Sequence, residues 1–440
     1  MKLGLFLLAA GHHAGGWRHP QAESGTENID LIVRAAQAAE RAKFDMVFLG
    51  DRLLTTPDSH PSMITRPDPM TVLSALAMVT NRIGLAGTAS TTYSEPFNLA
   101  RTLASVDLIS RGRAAWNIVT TFADGSINFS RDRHPDHALR YEIAEEFVQV
   151  VEGLWRSWDP DPYVRDKQAG VYIDTAKMHA LHHKGRFYDV AGPLNVTPSP
   201  QGRPVLIQAG SSGPGQALAA RHAEVVFTAQ QDLSAAQAFY TGLKAQVRAE
   251  GRRADQCLVM PGLMPIVGRT EKQARAKLAE LQAFTDQSNA LAILSEQLDS
   301  DVTGLPLDGP LPELPPVPGA HSRRDLLLRS AREQGLTLRE LYHLVASARG
   351  HQIVVGTAEQ IARHMVRWVE QGAADGFNIM PAYFPGGLDE FNAEVVPLLQ
   401  AWGHARTEYE GTTLRQHLGL DLPAPRRSAA RAPQEIEAHV

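Results

Sequence analysis

Apolar residues in this chain gather in short unbroken runs rather than alternating with polar ones. Eight runs stand out: "KLGLFLLAA" (2–10), "FDMVFLGD" (44–51), "RIGLAGTAST" (82–91), "GRAAWNIVTT" (112–121), "PVLIQAG" (204–210), "EVVFTA" (224–229), "CLVMPGLMPIVG" (257–268) and "GFNIMPAYF" (376–384). Strands that are apolar on both faces belong to parallel sheets covered by helices on either side. Longer segments with helical spacing lie between them, near 27–43, 69–80, 97–110 and 136–156. Three places put a hydroxyl three residues ahead of a glutamine: Ser234/Gln237, Thr270/Gln273 and Thr357/Gln360. That is the pattern of a capping box, which starts a helix. Eight strand-to-helix units favour a closed ring over an open sheet, so the expected fold is α/β, a (β/α)8 TIM barrel with insertions.

Three segments break the alternation. Residues 157–203 read as a long excursion between the fourth and fifth strands. Residues 284–350 read as a second insertion, whose "GLPLDGPLPELPPVPG" is too rich in proline for a helix or a central strand. Insertions at the carboxyl ends of barrel strands roof the active site, so 284–350 is the expected lid. The tail from 421 is expected to be mobile, leaving residues 1–420 as a single domain.

Length and charge narrow the functional classes. The chain has 440 residues and a net charge of −5, so neither nucleic acid nor an anionic membrane is the expected partner. The first apolar run, of about eight residues, is too short for a secretion signal, and no small-residue cleavage site follows it. No run approaches the roughly 18 apolar residues of a membrane span. A soluble cytoplasmic protein is expected. The one cysteine, Cys257, sits in an apolar run and reads as a packed core thiol. A single thiol excludes an internal disulfide and a cysteine-based metal site.

In such a barrel, chemistry gathers at the carboxyl ends of the strands. Those ends supply His12 and His13, Asp51, Thr88 to Thr91, Asn117 to Thr121, Gly210 to Ser212, Gln230 and Gln231, and Met380 to Tyr383. Most are neutral hydroxyls, amides and glycines. A metal site is not the expected reading. His12 and His13 are adjacent and point opposite ways on an extended chain, while His179 with His182 and His183 has helical ligand spacing but no acidic partner in view. No metal ligands are assigned, and a metal-dependent hydrolase stays as the remoter alternative.

The stretch "QAGSSGPG" (208–215) suits a phosphate-bearing cofactor better. It follows an apolar strand and opens a helix; Ser211 and Ser212 offer hydroxyls and the helix start offers free N–H groups. It is neither a dinucleotide fingerprint nor a P-loop. In "RHPDHALRYEIAEEF", Pro135 suits the first helical turn, so His137 and Tyr141 share one helix face. The imidazolium of His137 is disfavoured at that positive helix end. Asn117 lies inside an apolar strand, where a buried amide needs partners either in the core or on a bound ring. Asp51 either pairs with Arg52 or Arg18 or faces the pocket.

The set "GHHAGGWRHP", "ERAKFDMVFLGD", "GTASTTYSEPFNLAR", "GRAAWNIVTT", "HALRYEIAEEF" and "IQAGSSGPGQALAARHAEVVFT" resembles the flavin-dependent monooxygenases of the bacterial luciferase-like group. The nearest branch is that of nitrilotriacetate and EDTA monooxygenases, dibenzothiophene-sulfone monooxygenase and long-chain alkane monooxygenase. The resemblance runs in order from residue 1 to about 410. It implies a TIM barrel using O2 and reduced FMN, the FMN delivered by a separate NAD(P)H-dependent flavin reductase. It places Asp51 beside the flavin and Thr88 or Ser90, with Asn117, at the isoalloxazine ring. It likewise places His137 and Tyr141 near the phosphoribityl chain and Ser211 with Ser212 at the phosphate. Thr121 stands at the flavin site where some members carry a histidine, so a histidine-dependent step is not expected there.

The implied reaction is oxidation of a small organic substrate through a flavin C4a-(hydro)peroxide, with C–S or C–N cleavage favoured over alkane hydroxylation. A deazaflavin-dependent oxidoreductase on the same barrel is the alternative, and a homodimer or homotetramer is implied. Because the flavin carries the oxygen chemistry, the protein must bind, orient and exclude water. The loop "GHHAGGWRHP" (11–20) then falls at the barrel mouth. There His12 or His13 is expected to hydrogen-bond the peroxide or the substrate, Trp17 to shape the pocket, and Arg18 to attract an anionic substrate.

Overall fold

A computed structural model describes residues 1–423 except 24, 58, 122 and 317–321, with the backbone alone at 322 and 323. The expected tail lies beyond the described residues from 424 onward. All eight apolar runs contain strands. The first four are β1 (Lys2–Phe6), β2 (Met46–Leu49), β3 (Gly84–Ser90) and β4 (Ala114–Val119). The excursion after β4 holds two antiparallel hairpins, β5 (Tyr163–Asp166) with β6 (Val171–Ile173) and β7 (His183–Lys184) with β8 (Asp189–Val190). Then follow β9 (Val205–Ala209), β10 (Val225–Thr228), β11 (Leu258–Val267), β12 (Gln352–Gly356) and β13 (Gly376–Ile379).

Parallel pairing runs β1-β2-β3-β4-β9-β10-β11-β13 and returns to β1, a closed ring of eight strands. In that ring β1 and β9 stand opposite one another. Alternate side chains point inward and outward, as the strand repeat requires. Phe6, Phe48, Ile207 and Phe227 fill the lumen. Leu5, Val47, Leu85 and Trp116 pack outward against the helices, where Trp116 meets Phe147 and Trp155.

The apolar runs overshoot the strands at their carboxyl ends, because the loops there are buried too. Leu7 and Leu8 after β1, and Met380 to Phe384 after β13, are all nearly inaccessible. The ninth parallel strand, β12, was not expected from the pattern. It pairs only with Leu263–Val267 of β11, and its three central residues are half-exposed, so it lacks the fully buried run that marks the others.

The expected helices form as Ile29–Arg41, Pro69–Val79, Pro96–Ile109 and His137–Trp155. Pro69 and Pro96 start theirs, where a missing N–H costs nothing. Pro135 instead lies one residue before the cap, Asp136, whose carboxylate accepts from the Leu139 amide. The box at Thr357/Gln360 is realised, and Thr270 caps through its hydroxyl. Ser234 is not a cap. Asp232 takes that role two residues earlier and accepts from the Ala235 amide. The second insertion contains helices Gln287–Leu298, Ser322–Gln334 and Leu338–Ala348 around its own small core of Leu291, Leu294, Leu327, Leu341 and Val345. Among the described residues no helix is long and apolar enough to cross a membrane. Cys257 is buried, and burial pushes its thiol up to about 11.

Two helices that border the site are clasped together by one histidine. His222, in the last turn of the helix Gly213–His222, donates through Nδ1 to Glu152 (3.0 Å) and through Nε2 to Glu145 (3.0 Å), both on His137–Trp155. Burial alone would lower this imidazole, but the hydrogen bonds to Glu145 and Glu152 raise it to about 9. Its stabilising charge is therefore fully present below the unfolded value near pH 6.5 and is lost as pH rises through about 9. The pH-dependent part is worth up to about 3 kcal/mol. His222→Gln should cost the most stability near pH 6.5, and the gap between its urea midpoint and that of the wild type should close by about pH 10. A gap independent of pH would rule out the clasp.

Candidate active site

The carboxyl ends of the ring open into one cavity of about 500 Å³, within the usual range for small-molecule sites. Phe6, Ile118 and Phe227 form its apolar base, and Ile293, Glu296 and Leu326 of the second insertion border it. Eight of the expected residues line it: Asp51, Thr88, Ser90, Thr121, His137, Tyr141, Ser211 and Ser212. Asn117 stands just behind them, with its Nδ2 donating to Thr88 Oγ1 at 2.8 Å.

One wall is a turn able to hold an anion. Ser212 caps the helix Gly213–His222 and accepts from the Gly215 amide, and the Tyr141 hydroxyl lies 3.3 Å from Ser212 Oγ. The ring of His137 packs 5.0 Å from that of Tyr141. The turn is tightly packed: a Cβ on Gly215 would sit 3.0 Å from the Tyr141 hydroxyl, and one on Gly210 would sit 2.6 Å from Gln208 Nε2, so either side chain would have to move. A helix start with hydroxyls around it favours negative charge.

The adjoining wall is a hydroxyl network. Ser90 Oγ pairs with Thr121 Oγ1 and accepts from the amides of Thr92 and Tyr93 at 3.1 and 3.2 Å. Thr121 is held in the left-handed region, φ 41°. Arg140 donates to the Thr121 carbonyl at 2.6 Å and to His134 Nε2 at 2.6 Å. Burial raises the Asp51 carboxyl, opposed by the Arg52 amide and the charge of Arg66. Two buried amide oxygens, Asn117 Oδ1 and Gln208 Oε1, have no hydrogen-bond partner among the described residues. Buried acceptors in this state are able to take a donor from water or from a ligand.

The loop 11–20 does not stand at the mouth as expected. It folds inward across the segment after β13: the amides of His12 and His13 donate to the carbonyls of Pro381 and Ala382 at 3.1 and 3.2 Å. Gly11, at φ +86°, and Gly16 both press on the Ala382 carbonyl, where a Cβ would come within 2.2 Å. His13 is inaccessible, accepts from the Gly15 amide through Nδ1, and is pulled down to about 3 by burial. Trp17 is 47% exposed and Arg18 donates to the Phe284 carbonyl at 2.8 Å; neither lines the cavity. His12 is fully buried behind the cavity wall, with Nε2 donating to the Phe6 carbonyl (2.8 Å) and Nδ1 accepting from Arg349 (2.8 Å).

His179 and His183 also depart from expectation. They lie on extended chain, not a helix, and each has an acidic partner, Asp159 at 2.9 Å and Glu146 at 3.1 Å. Among the described residues no group of three or more histidine, cysteine, aspartate or glutamate side chains is placed to hold a metal ion.

Sequence reasoning missed Gln208, His60, Arg140, Arg349 and His351, all of which line the cavity. Gln208 opens the very motif singled out for its serines, and its position two residues before Gly210 was the available signal. Arg349 and His351 precede the strand β12 that the pattern did not reveal.

Comparison with known proteins agrees with this geometry. The model of the luciferase-like monooxygenase family matches residues 1–375. N-acetyl-S-(2-succino)cysteine monooxygenase of Bacillus subtilis (strain 168) is 51% identical, over 97% of this chain and 98% of its own. Nitrilotriacetate monooxygenase component A of Aminobacter aminovorans is 45% identical, over 96% of this chain and 97% of its own. Among solved structures, riboflavin lyase with modified FMN and its substrate riboflavin superposes with a TM-score of 0.84 at 30% identity, covering 96% of each chain. With the family model spanning most of its length and relatives this similar from end to end, the chain belongs to the luciferase-like monooxygenases and is a flavin-dependent oxidoreductase.

Proposed function

We propose that this chain is the oxygenase component of a two-component system. It takes reduced FMN from a separate NAD(P)H-dependent flavin reductase and uses O2 to cleave a C–S bond in a small thioether. The observation that carries this reading is the pair of amide oxygens, Asn117 Oδ1 and Gln208 Oε1, without a partner among the described residues, beside a cavity whose wall includes the hydroxyls of Thr88, Ser90, Thr121 and Ser212. The ring of a reduced flavin carries the N–H groups that those oxygens lack. The Ser211–Ser212 turn, with Tyr141, suits the cofactor's phosphate. Thr88, Ser90 and Thr121 supply hydroxyls along the ring's edge, and Phe6, Ile118 and Phe227 supply an apolar floor.

Reduced FMN, when bound, supplies the two electrons that activate O2. The remaining tasks fall to the chain: to bind, to orient and to keep water out. The second insertion acts as the lid. Its Glu296 meets Arg52, at the end of β2, at 3.1 Å across the cavity, while Ile293 and Leu326 present apolar surface. The preference for sulfur over nitrogen follows the more similar relative, whose name specifies a thioether acid, over the nitrilotriacetate enzyme. In the balanced reaction one oxygen atom enters the C–H bond beside sulfur and the other leaves as water. The hemithioacetal then splits into a thiol and a carbonyl compound. A homodimer or homotetramer in the cytoplasm completes the proposal.

Purified protein, supplied with a flavin reductase, NADH, FMN and O2, should release a thiol from N-acetyl-S-(2-succino)cysteine at a rate well above its action on dibenzothiophene sulfone or nitrilotriacetate. Absence of thiol, with an aminopolycarboxylate consumed instead, would move the assignment to C–N cleavage. Oxygen-independent turnover with a bound deazaflavin would end it. Ser212→Ala and Tyr141→Phe should each weaken FMN binding by about tenfold, as loss of a hydrogen bond to a charged group implies. Fluorescence titration reads this directly, and unchanged affinity in both would move the phosphate site elsewhere.

A further inference from the structure

One residue of the cavity wall is held in a conformation that its own side chain opposes. Thr121 has φ 41°, in the left-handed region that a β-branched residue seldom adopts. Such a backbone persists only where its surroundings impose it, and it gathers at functional sites. Here three successive carbonyls are fixed by residues of other elements. That of Val119 accepts from the Thr91 amide at 2.9 Å, that of Thr120 from the Thr92 hydroxyl at 2.9 Å, and that of Thr121 from Arg140 Nη1 at 2.6 Å. Arg140 Nη1 also donates to His134 Nε2 at 2.6 Å, which leaves the His134 proton on Nδ1, facing the Tyr93 hydroxyl at 2.6 Å. The Tyr93 amide returns to Ser90 Oγ, and Ser90 meets Thr121, so the contacts close into a ring around the strained residue.

The same ring decides which hydroxyl is free. A serine hydroxyl has one proton and two lone pairs. Both lone pairs of Ser90 Oγ are taken, by the amides of Thr92 and Tyr93 at 3.1 and 3.2 Å, so its proton goes to its remaining partner, Thr121 Oγ1. Thr121 Oγ1 is therefore an acceptor toward Ser90, and its own proton meets no acceptor among the described residues. Both hydroxyls border the cavity, but only Thr121 has a proton left to offer it. Two backbone amides feed Ser90 and Ser90 feeds Thr121, a sequence that strengthens the last donor.

We propose that the Thr121 hydroxyl donates a hydrogen bond to a carbonyl oxygen of the isoalloxazine ring, and that Arg140 and His134 are positioning residues that hold Thr121 in place to do so. The proposal rests on reading this cavity as the FMN site. Ser90 contributes through Thr121. Arg140, although it neighbours Tyr141 near the phosphate turn, acts on the ring end of the cofactor through the Thr121 carbonyl. A ring carbonyl accepts a hydrogen bond whether the flavin is oxidised or reduced, so the contact is readable on oxidised FMN without turnover.

The test titrates the purified full chain with FMN and with riboflavin, which has the same ring and no phosphate, and follows the fluorescence and visible absorption of the bound flavin. Thr121→Val keeps the branched shape and removes the donor. It should weaken both flavins by about fivefold, as loss of one uncharged hydrogen bond implies, and shift the long-wavelength absorption band. Thr121→Ser restores the donor and should recover most of both changes. Arg140→Met should weaken FMN and riboflavin by a similar factor with the same band shift, and should cost less than about twofold in the Thr121→Val background, because the two residues act as one unit. Unchanged FMN affinity in Thr121→Val, or a loss that Thr121→Ser does not recover, overturns the contact while leaving the FMN site standing. A loss in Arg140→Met that is confined to FMN, or undiminished in the Thr121→Val background, overturns the positioning role and makes Arg140 a phosphate ligand. Should Arg140→Met fail to fold, Arg140→Lys keeps the charge without the planar fork and is read by the same two comparisons. Where riboflavin binds too weakly to titrate, the double-variant comparison decides. No flavin binding by the wild type ends both this proposal and the function on which it rests.

Discussion

Closure of the parallel ring is the constraint on which the site depends. Because β10 pairs onto β11 and β13 onto β1, the ring has no edge left to protect. Its backbone asks nothing of the side chains at the carboxyl ends, so these can be polar, under-bonded and turned toward one hollow. Leaving Asn117 Oδ1 and Gln208 Oε1 without partners costs about 1–3 kcal/mol each, a penalty that a core of this size absorbs. The same closure sets distance and direction, since residues following β1 and β9 face each other from opposite sides.

The helices outside the ring are arranged for the same end. The helix His137–Trp155 brings His137, Arg140 and Tyr141 to the cavity, and the helix Gly213–His222 brings Ser212. Their far ends are joined by His222 between Glu145 and Glu152. A charge network away from the cavity therefore fixes the relative position of two helices whose first turns carry cavity-lining side chains.

Much of the barrel was legible because its strands are apolar on both faces, a signal that survives in a single sequence. β12 escaped because three of its five residues are half-exposed, so burial does not mark it. The polar residues that follow strands were legible for a topological reason: in a closed parallel ring every carboxyl end faces the same hollow. Thr88, Ser90, Thr121 and the two serines reach it on that logic, and Tyr141 reaches it from the helix that follows β4. The loop 11–20 was not legible, because its course depends on two glycines fitting against the carbonyl of Ala382, far away in the chain. Arg349 was invisible for a like reason. It lies 337 residues from the histidine that orients it, and nothing local announces the pair.

The histidine-rich loop then has an explanation that does not depend on proton transfer. The His12 imidazole accepts one N–H of Arg349 at 2.8 Å through Nδ1 while its Nε2 faces the Phe6 carbonyl at 2.8 Å, so the ring ties the end of the helix Leu338–Ala348 to β1. The arrangement is self-maintaining: burial and the adjacent guanidinium both oppose protonation of His12, and the Phe6 carbonyl fixes which nitrogen carries the hydrogen.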